Sequence, residues 1–224
     1  RSRARRSGEV LRAVAAASRS DLAVVVVGMD SEWETEGRDR DQFGLPPGQD
    51  ELIEAVVAAN PNTVVVVNAG SPIAMPWAER VPAIVWLWYP GQDGGHALAH
   101  VVAGDLDATG RLPVTIPHRL EDTPAFLHHP GERGQERYGE GVFIGYRWYD
   151  TRDLAPRYPF GFGLSYTRFA YGVASAEVTA VDEHRVVVRV PVTNVGERAG
   201  AEVVQLYVSD ADASVTRPAQ ELKA

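Results

Sequence analysis

Two runs of four consecutive valines, 24–27 and 64–67, constrain this chain more than any other feature. Each is a short apolar run of strand length, and neither approaches the ~20 residues of a membrane-spanning helix. Continuous apolar strands suit a parallel sheet covered on both faces. The intervening pattern agrees. Residues 9–20 read as a helix with Val10, Leu11, Val14 and Ala17 on one stripe, 22–28 as a buried strand and 49–59 as a helix with Leu52, Ile53, Val56 and Val57 inward. Strands follow at 63–68, 83–89 and 112–116, with a helix at 94–103. Alternation of this kind implies right-handed βαβ units and an α/β fold of doubly wound, flavodoxin-like type.

Residues 118–168 change character. Proline, glycine and aromatics punctuate them, as in a functional or domain-bridging segment. From about residue 169 the period becomes two. Stretches 175–180, 185–194 and 201–209 read as antiparallel strands of a partial β-sandwich, with turns such as 181–184 between them. The expected division is therefore an α/β sandwich over 1–117, an irregular segment completing it over 118–168, and part of a β-sandwich over 169–224. The chain has no initiating methionine and no terminal cap or tail, which reads as a piece of a longer protein.

Charge and composition narrow the chemistry. Lys plus Arg number 22 and Asp plus Glu 30, a net charge of −8. Nucleic-acid grooves need clustered positive charge, so that class is set aside. The basic run Arg1, Arg3, Arg5 and Arg6 reads as a frayed helix start. Absence of cysteine excludes disulfides, thiolate metal sites and cysteine nucleophiles, and leaves the compartment open. His96 and His100 have metal-ligand spacing but no intervening glutamate to act as base, so they read as helix surface and no metal or cofactor is expected. The Gly161 to Tyr166 stretch lacks the third glycine of a dinucleotide fingerprint, Ser165 sits in no nucleophile elbow, and no glycine-rich loop opens a helix for a phosphate.

Ligands of open α/β sheets sit beyond the carboxyl ends of the strands. The loop there, residues 29–41, holds Glu32, Glu34 and Glu36, Asp30, Asp39 and Asp41, and Arg38 and Arg40. Crowded carboxylates raise one another's pKa and arginines lower it, which is the tuning a general acid requires. The plainer reading is a solvated charged loop.

The series Glu36-Gly37-Arg38-Asp39-Arg40, Leu45-Pro46-Pro47-Gly48-Gln49, Asn68-Ala69-Gly70-Ser71-Pro72, Tyr89-Pro90-Gly91-Gln92 and Gly104 to Pro113, then Tyr138 to Asp150 and Pro159 to Tyr166, occurs in that order. It resembles the C-terminal α/β-sandwich domain of glycoside hydrolase family 3. The end of the chain, from Asn194 through Gln205 to Glu221, resembles the start of the fibronectin type III-like domain that follows in many members. The resemblance implies an exo-acting retaining β-glycosidase. A nucleophilic aspartate comes from an N-terminal (β/α)8 barrel, which is absent here, and a glutamate from this domain serves as acid/base. Members reading Glu-Gly-x-Asp-Arg place that residue at Glu36; members whose loop opens Ser-Gly-Glu align on Glu32. Glu34 points away if the stretch is extended. Asp39 and Arg40 are expected to orient the loop by ion pairing, and Trp33 either walls a sugar subsite or packs in the core. The implied partners are a β-glycoside and the barrel, with no nucleic acid or membrane, and the isolated segment is expected to be nearly inactive. A non-catalytic carbohydrate-binding or scaffolding module is the competing class.

Overall fold

A computed structural model describes residues 3–180 and 185–224. The chain begins with α1 (Arg3–Ala17), then β1 (Ala23–Gly28), α2 (Gln49–Ala59), β2 (Thr63–Asn68), β3 (Ala83–Trp86) and α3 (Gly94–Ala103). The three strands form one parallel sheet in the order β1-β2-β3, with Val25 opposite Val65 and Val65 opposite Ile84. Val25, Val27, Val65 and Val67 meet Ile53 and Val56 of α2 in the core, with Ile73, Trp77 and Ile116 fully buried beside them. Asn60, at the end of α2, donates from its side chain to the carbonyls of Ala17 and Ser20. It thereby satisfies acceptors that the end of α1 leaves open.

The described structure corrects several expectations, three of them about the parallel sheet. The sheet is not covered on both faces: Val24 and Val26 are 45% and 60% exposed. The helices with buried side chains on the sheet gather on the Val25 face, and only the central strand is enclosed from both sides, through Val66. The third strand stops at Trp86 rather than residue 89, because Trp88 takes a left-handed backbone with φ 57°. Residues 112–116 do not join the parallel sheet. Leu112 and Ile116 instead exchange backbone hydrogen bonds with the returning segment 158–162, at 2.8 to 3.1 Å. Pro113 and Pro117 deny that stretch the donors a central strand requires.

Within 118–168 lies a helix the pattern did not reveal, α4 (Tyr146–Arg152), closed by Asp153 in the left-handed region and burying Tyr149. The remaining strands are β4 (Phe169–Tyr171), β5 (Ser175–Ala180), β6 (Arg185–Arg189), β7 (Val192–Asn194), β8 (Tyr207–Val208) and β9 (Glu221–Leu222). They pair antiparallel as β4–β7, β5–β6 and β8–β9. The expected strand 185–194 is split ahead of Pro191, and 201–209 contracts to β8. The turn expected at 181–184 and Arg1 of the basic run lie outside the described residues. The fold is thus an α/β domain followed by a partial antiparallel β-sandwich. Among the described residues no helix is long and apolar enough to cross a membrane.

Candidate active-site loop

The acidic loop leaves the carboxyl end of β1. Its root is clamped by Gln49 of α2, whose side chain donates to the Gly28 carbonyl at 2.9 Å and accepts from the Gly28 N–H at 2.7 Å. Gly28 is required there: a Cβ would stand 1.9 Å from the Asn68 carbonyl oxygen.

Beyond the root the chain makes one tight turn. Trp33 and Glu34 donate backbone N–H groups to the Asp30 carbonyl, and the Asp30 carboxylate accepts the Glu32 N–H at 2.9 Å. This turn sets Trp33 against the apolar core, where it is partly buried. Thr35 and Arg38 then form an antiparallel bridge, so Glu36 and Gly37 stand at the apex of a two-residue hairpin. Glu36 is exposed there, and Glu32 is exposed lower down. Arg38 donates to the Glu32 carbonyl and braces the limb.

Glu34 has a different fate. Its carboxylate accepts hydrogen bonds from the Gly70 N–H at 2.9 Å, the Ser71 hydroxyl and the Tyr89 hydroxyl. These partners follow β2 and β3, so one carboxylate ties the loop to segments beyond the ends of the sheet's other two strands. Burial pushes its pKa up, but the three hydrogen bonds and the Arg40 guanidinium outweigh this and hold it below the ordinary value of 4.5. Glu34 is a fixed anion, the wrong state for a proton donor. Gly70 admits the arrangement, since a Cβ would meet the Tyr89 ring at 2.6 Å.

The descending limb is fastened too. Arg40 donates to the Pro72 carbonyl at 2.9 Å, and Phe43 accepts from the Ala74 N–H at 2.8 Å. Asp39 and Arg40 therefore reach separate partners: Asp39 meets His129 Nε2 at 3.2 Å. Arg40, Phe43 and Pro72 help line a cleft of about 560 Å³, together with Pro113, Leu120, Ile144 and Phe160. His96 and His100 pair separately with Asp93 and Asp105, at 2.8 and 3.0 Å.

The acidic run and the Glu36-Gly37-Arg38-Asp39-Arg40 series marked this loop. Gln49, Ser71 and Tyr89 stood in other segments of the resembling series, but nothing in the sequence linked them or His129 to the loop. Chemically, the arrangement takes up the Glu34 carboxylate and leaves those of Glu32 and Glu36 exposed on a stapled loop beyond the strand ends, with Glu36 at the hairpin apex.

The model of the glycosyl hydrolase family 3 C-terminal domain matches residues 1–166. The chain belongs to glycoside hydrolase family 3. It is 48% identical over 219 residues to a β-glucosidase of Rhizobium radiobacter, covering 96% of this chain and 27% of the relative. Among solved structures, a β-glucosidase from Kluyveromyces marxianus in complex with glucose superimposes with a TM-score of 0.92 at 42% identity, over 97% of this chain and 26% of that one. A β-glucosidase from Streptomyces venezuelae in complex with D-glucose gives 0.88 at 38% identity, covering 96% of this chain and 28% of that one. The family 3 segment described here thus spans about a quarter of the length of the relatives it matches.

Proposed function

We propose that this chain is the acid/base-bearing part of an exo-acting retaining β-glycosidase of β-glucosidase type, and that Glu36 is the acid/base. The observation that carries this reading is the apical position of Glu36 on a hairpin whose two limbs are both fastened to the sheet. Of the three loop glutamates, Glu34 is consumed by three hydrogen bonds. Glu32 sits on the rising limb, its backbone tied to Asp30 and Arg38. Glu36 alone stands at the tip.

In a retaining mechanism two carboxyl groups flank the glycosidic bond, about 5–5.5 Å apart. One attacks the anomeric carbon as the glycosidic bond breaks, and the other gives its proton to the leaving oxygen. The second then takes a proton from water, which displaces the enzyme carboxylate and releases the sugar. Glu36 would perform both proton transfers. The nucleophilic aspartate would come from a (β/α)8 barrel domain elsewhere in the whole enzyme. A rigid hairpin suits the task, because proton transfer requires placement within hydrogen-bond reach of the leaving oxygen. Asp39, Arg40 and Trp33 serve this hairpin through their contacts with His129, Pro72 and the core.

In the intact enzyme, Glu36→Ala should depress kcat/KM for phenyl and alkyl β-glucosides by about 10²-fold or more. It should largely spare dinitrophenyl β-glucoside, whose leaving group needs no proton. Azide should raise kcat on that activated substrate and yield β-glucosyl azide. If Glu32→Ala behaves this way and Glu36→Ala does not, the assignment belongs to Glu32.

A further inference from the structure

His129 touches two carboxylates at once. Its Nδ1 lies 2.9 Å from Glu136 Oε1 and its Nε2 lies 3.2 Å from Asp39 Oδ2. Asp39 is three residues beyond Glu36 on the hairpin's descending limb. Glu136 follows a tight turn in which Glu132 and Gln135 exchange both backbone hydrogen bonds at 2.9 Å. That turn is sterically set: a Cβ on Gly131 would lie 2.4 Å from the Gln135 carbonyl oxygen, and one on Gly139 would lie 2.3 Å from the His128 ring. The backbone N–H of His129 is held by the Ala125 carbonyl at 2.9 Å. Arg38 and Arg40 flank Asp39 but direct guanidinium N–H groups to the carbonyls of Glu32 and Pro72.

A neutral imidazole has one N–H and one lone pair, so one of the two contacts would oppose a lone pair to a carboxylate. Only the imidazolium donates in both directions. We propose that His129 is a positioning residue for the acid/base hairpin, its imidazolium tying Asp39 on that hairpin to Glu136 on the facing turn. The proposal rests on the reading of Glu36 given above. Hydrogen bonds to Glu136 and to Asp39 raise the pKa of His129 above its ordinary value of 6.5. The tie is therefore complete below that ordinary value and lost as pH rises through the raised one. Asp39 and Glu136 are the charged groups that meet the ring, and all three side chains are solvent-accessible. The tie should weaken with salt.

The test uses the intact enzyme, with kcat/KM measured from about pH 6 to 8, where histidine titrates. His129→Gln should lower kcat/KM for phenyl β-glucoside about threefold at the acid end of that range, as for an exposed ion pair, and leave dinitrophenyl β-glucoside unchanged. His129→Lys, a cation throughout the range, should restore the loss and remove the histidine titration from the profile. An unchanged His129→Gln enzyme, an equal loss on both substrates, or a lysine variant as impaired as glutamine would each overturn the proposal. Glu36→Ala, assayed alongside, separates the two readings. It stays impaired on phenyl β-glucoside if only the His129 tie fails, and retains that activity if Glu36 is not the acid/base.

Discussion

At the residue scale, three glutamates spaced two apart share a loop but not an environment. Glu34 is surrounded by donors from two strand ends, whereas Glu32 and Glu36 face solvent. Glu34→Ala leaves the Ser71 hydroxyl, the Tyr89 hydroxyl and the Gly70 N–H without their acceptor. It should cost about 1.5–3 kcal/mol, the scale of hydrogen bonds to a charged group, read from urea unfolding at pH 7. Because its folded pKa is depressed, the contribution is present above the ordinary glutamate value and lost as pH falls through the folded one. The difference between wild type and Glu34→Ala should therefore shrink steadily below about pH 4. In the intact enzyme the same variant should also lose activity, since the hairpin bearing Glu36 would be unfastened on one side.

At the element scale, the sheet and its helices set where the loop emerges. Ile53 is fully buried against the β1 and β2 valines, and Ile53→Ala should cost about 2–5 kcal/mol. Asn60→Ala should cost about 1–2 kcal/mol, because the Ser20 carbonyl and the Asn62 N–H lose their side-chain partner and the Ala17 carbonyl keeps only the Ser20 N–H. Both are checked by the urea midpoint at unchanged slope. The elements legible in the sequence were those whose periodicity is local. The helices at 49–59 and 94–103 and the strand at 63–68 coincide with their expected bounds. Elsewhere long-range partners decided the outcome. Residues 112–116 have strand composition, but their partner is 158–162, and their prolines fit that edge-like pairing rather than a sheet interior. The helix α4 hid within aromatics that pack, as Tyr146 lies against Phe160 with tilted rings 4.9 Å apart and Tyr149 is buried. The valine run at 24–27 promised two covered faces, yet only one is covered in the described structure.

The candidate site shows the same division. A charge-dense loop past the first strand is visible in the sequence because its residues are contiguous. The partners that differentiate its carboxylates are not. Ser71 and Tyr89 lie 37 and 55 residues from Glu34, and His129 lies 90 from Asp39. Which glutamate is bound and which is available is a property of the folded chain, and no spacing rule within the loop could supply it.

At the scale of the whole molecule, the segment offers a carboxyl without a matching nucleophile assigned to it, and it spans about a quarter of its β-glucosidase relatives. The purified segment alone should therefore show no turnover of aryl β-glucosides above buffer under conditions where the intact enzyme is saturated. The measurement that bears most directly on the proposed mechanism is a crystal structure of the intact enzyme with its nucleophile trapped by a fluorinated glycoside. Glu36 should then lie with its carboxyl about 5–5.5 Å from the trapped carboxylate, facing the anomeric carbon. A structure in which Glu36 points into solvent, with Glu32 or a residue of another domain at that distance, would contradict it.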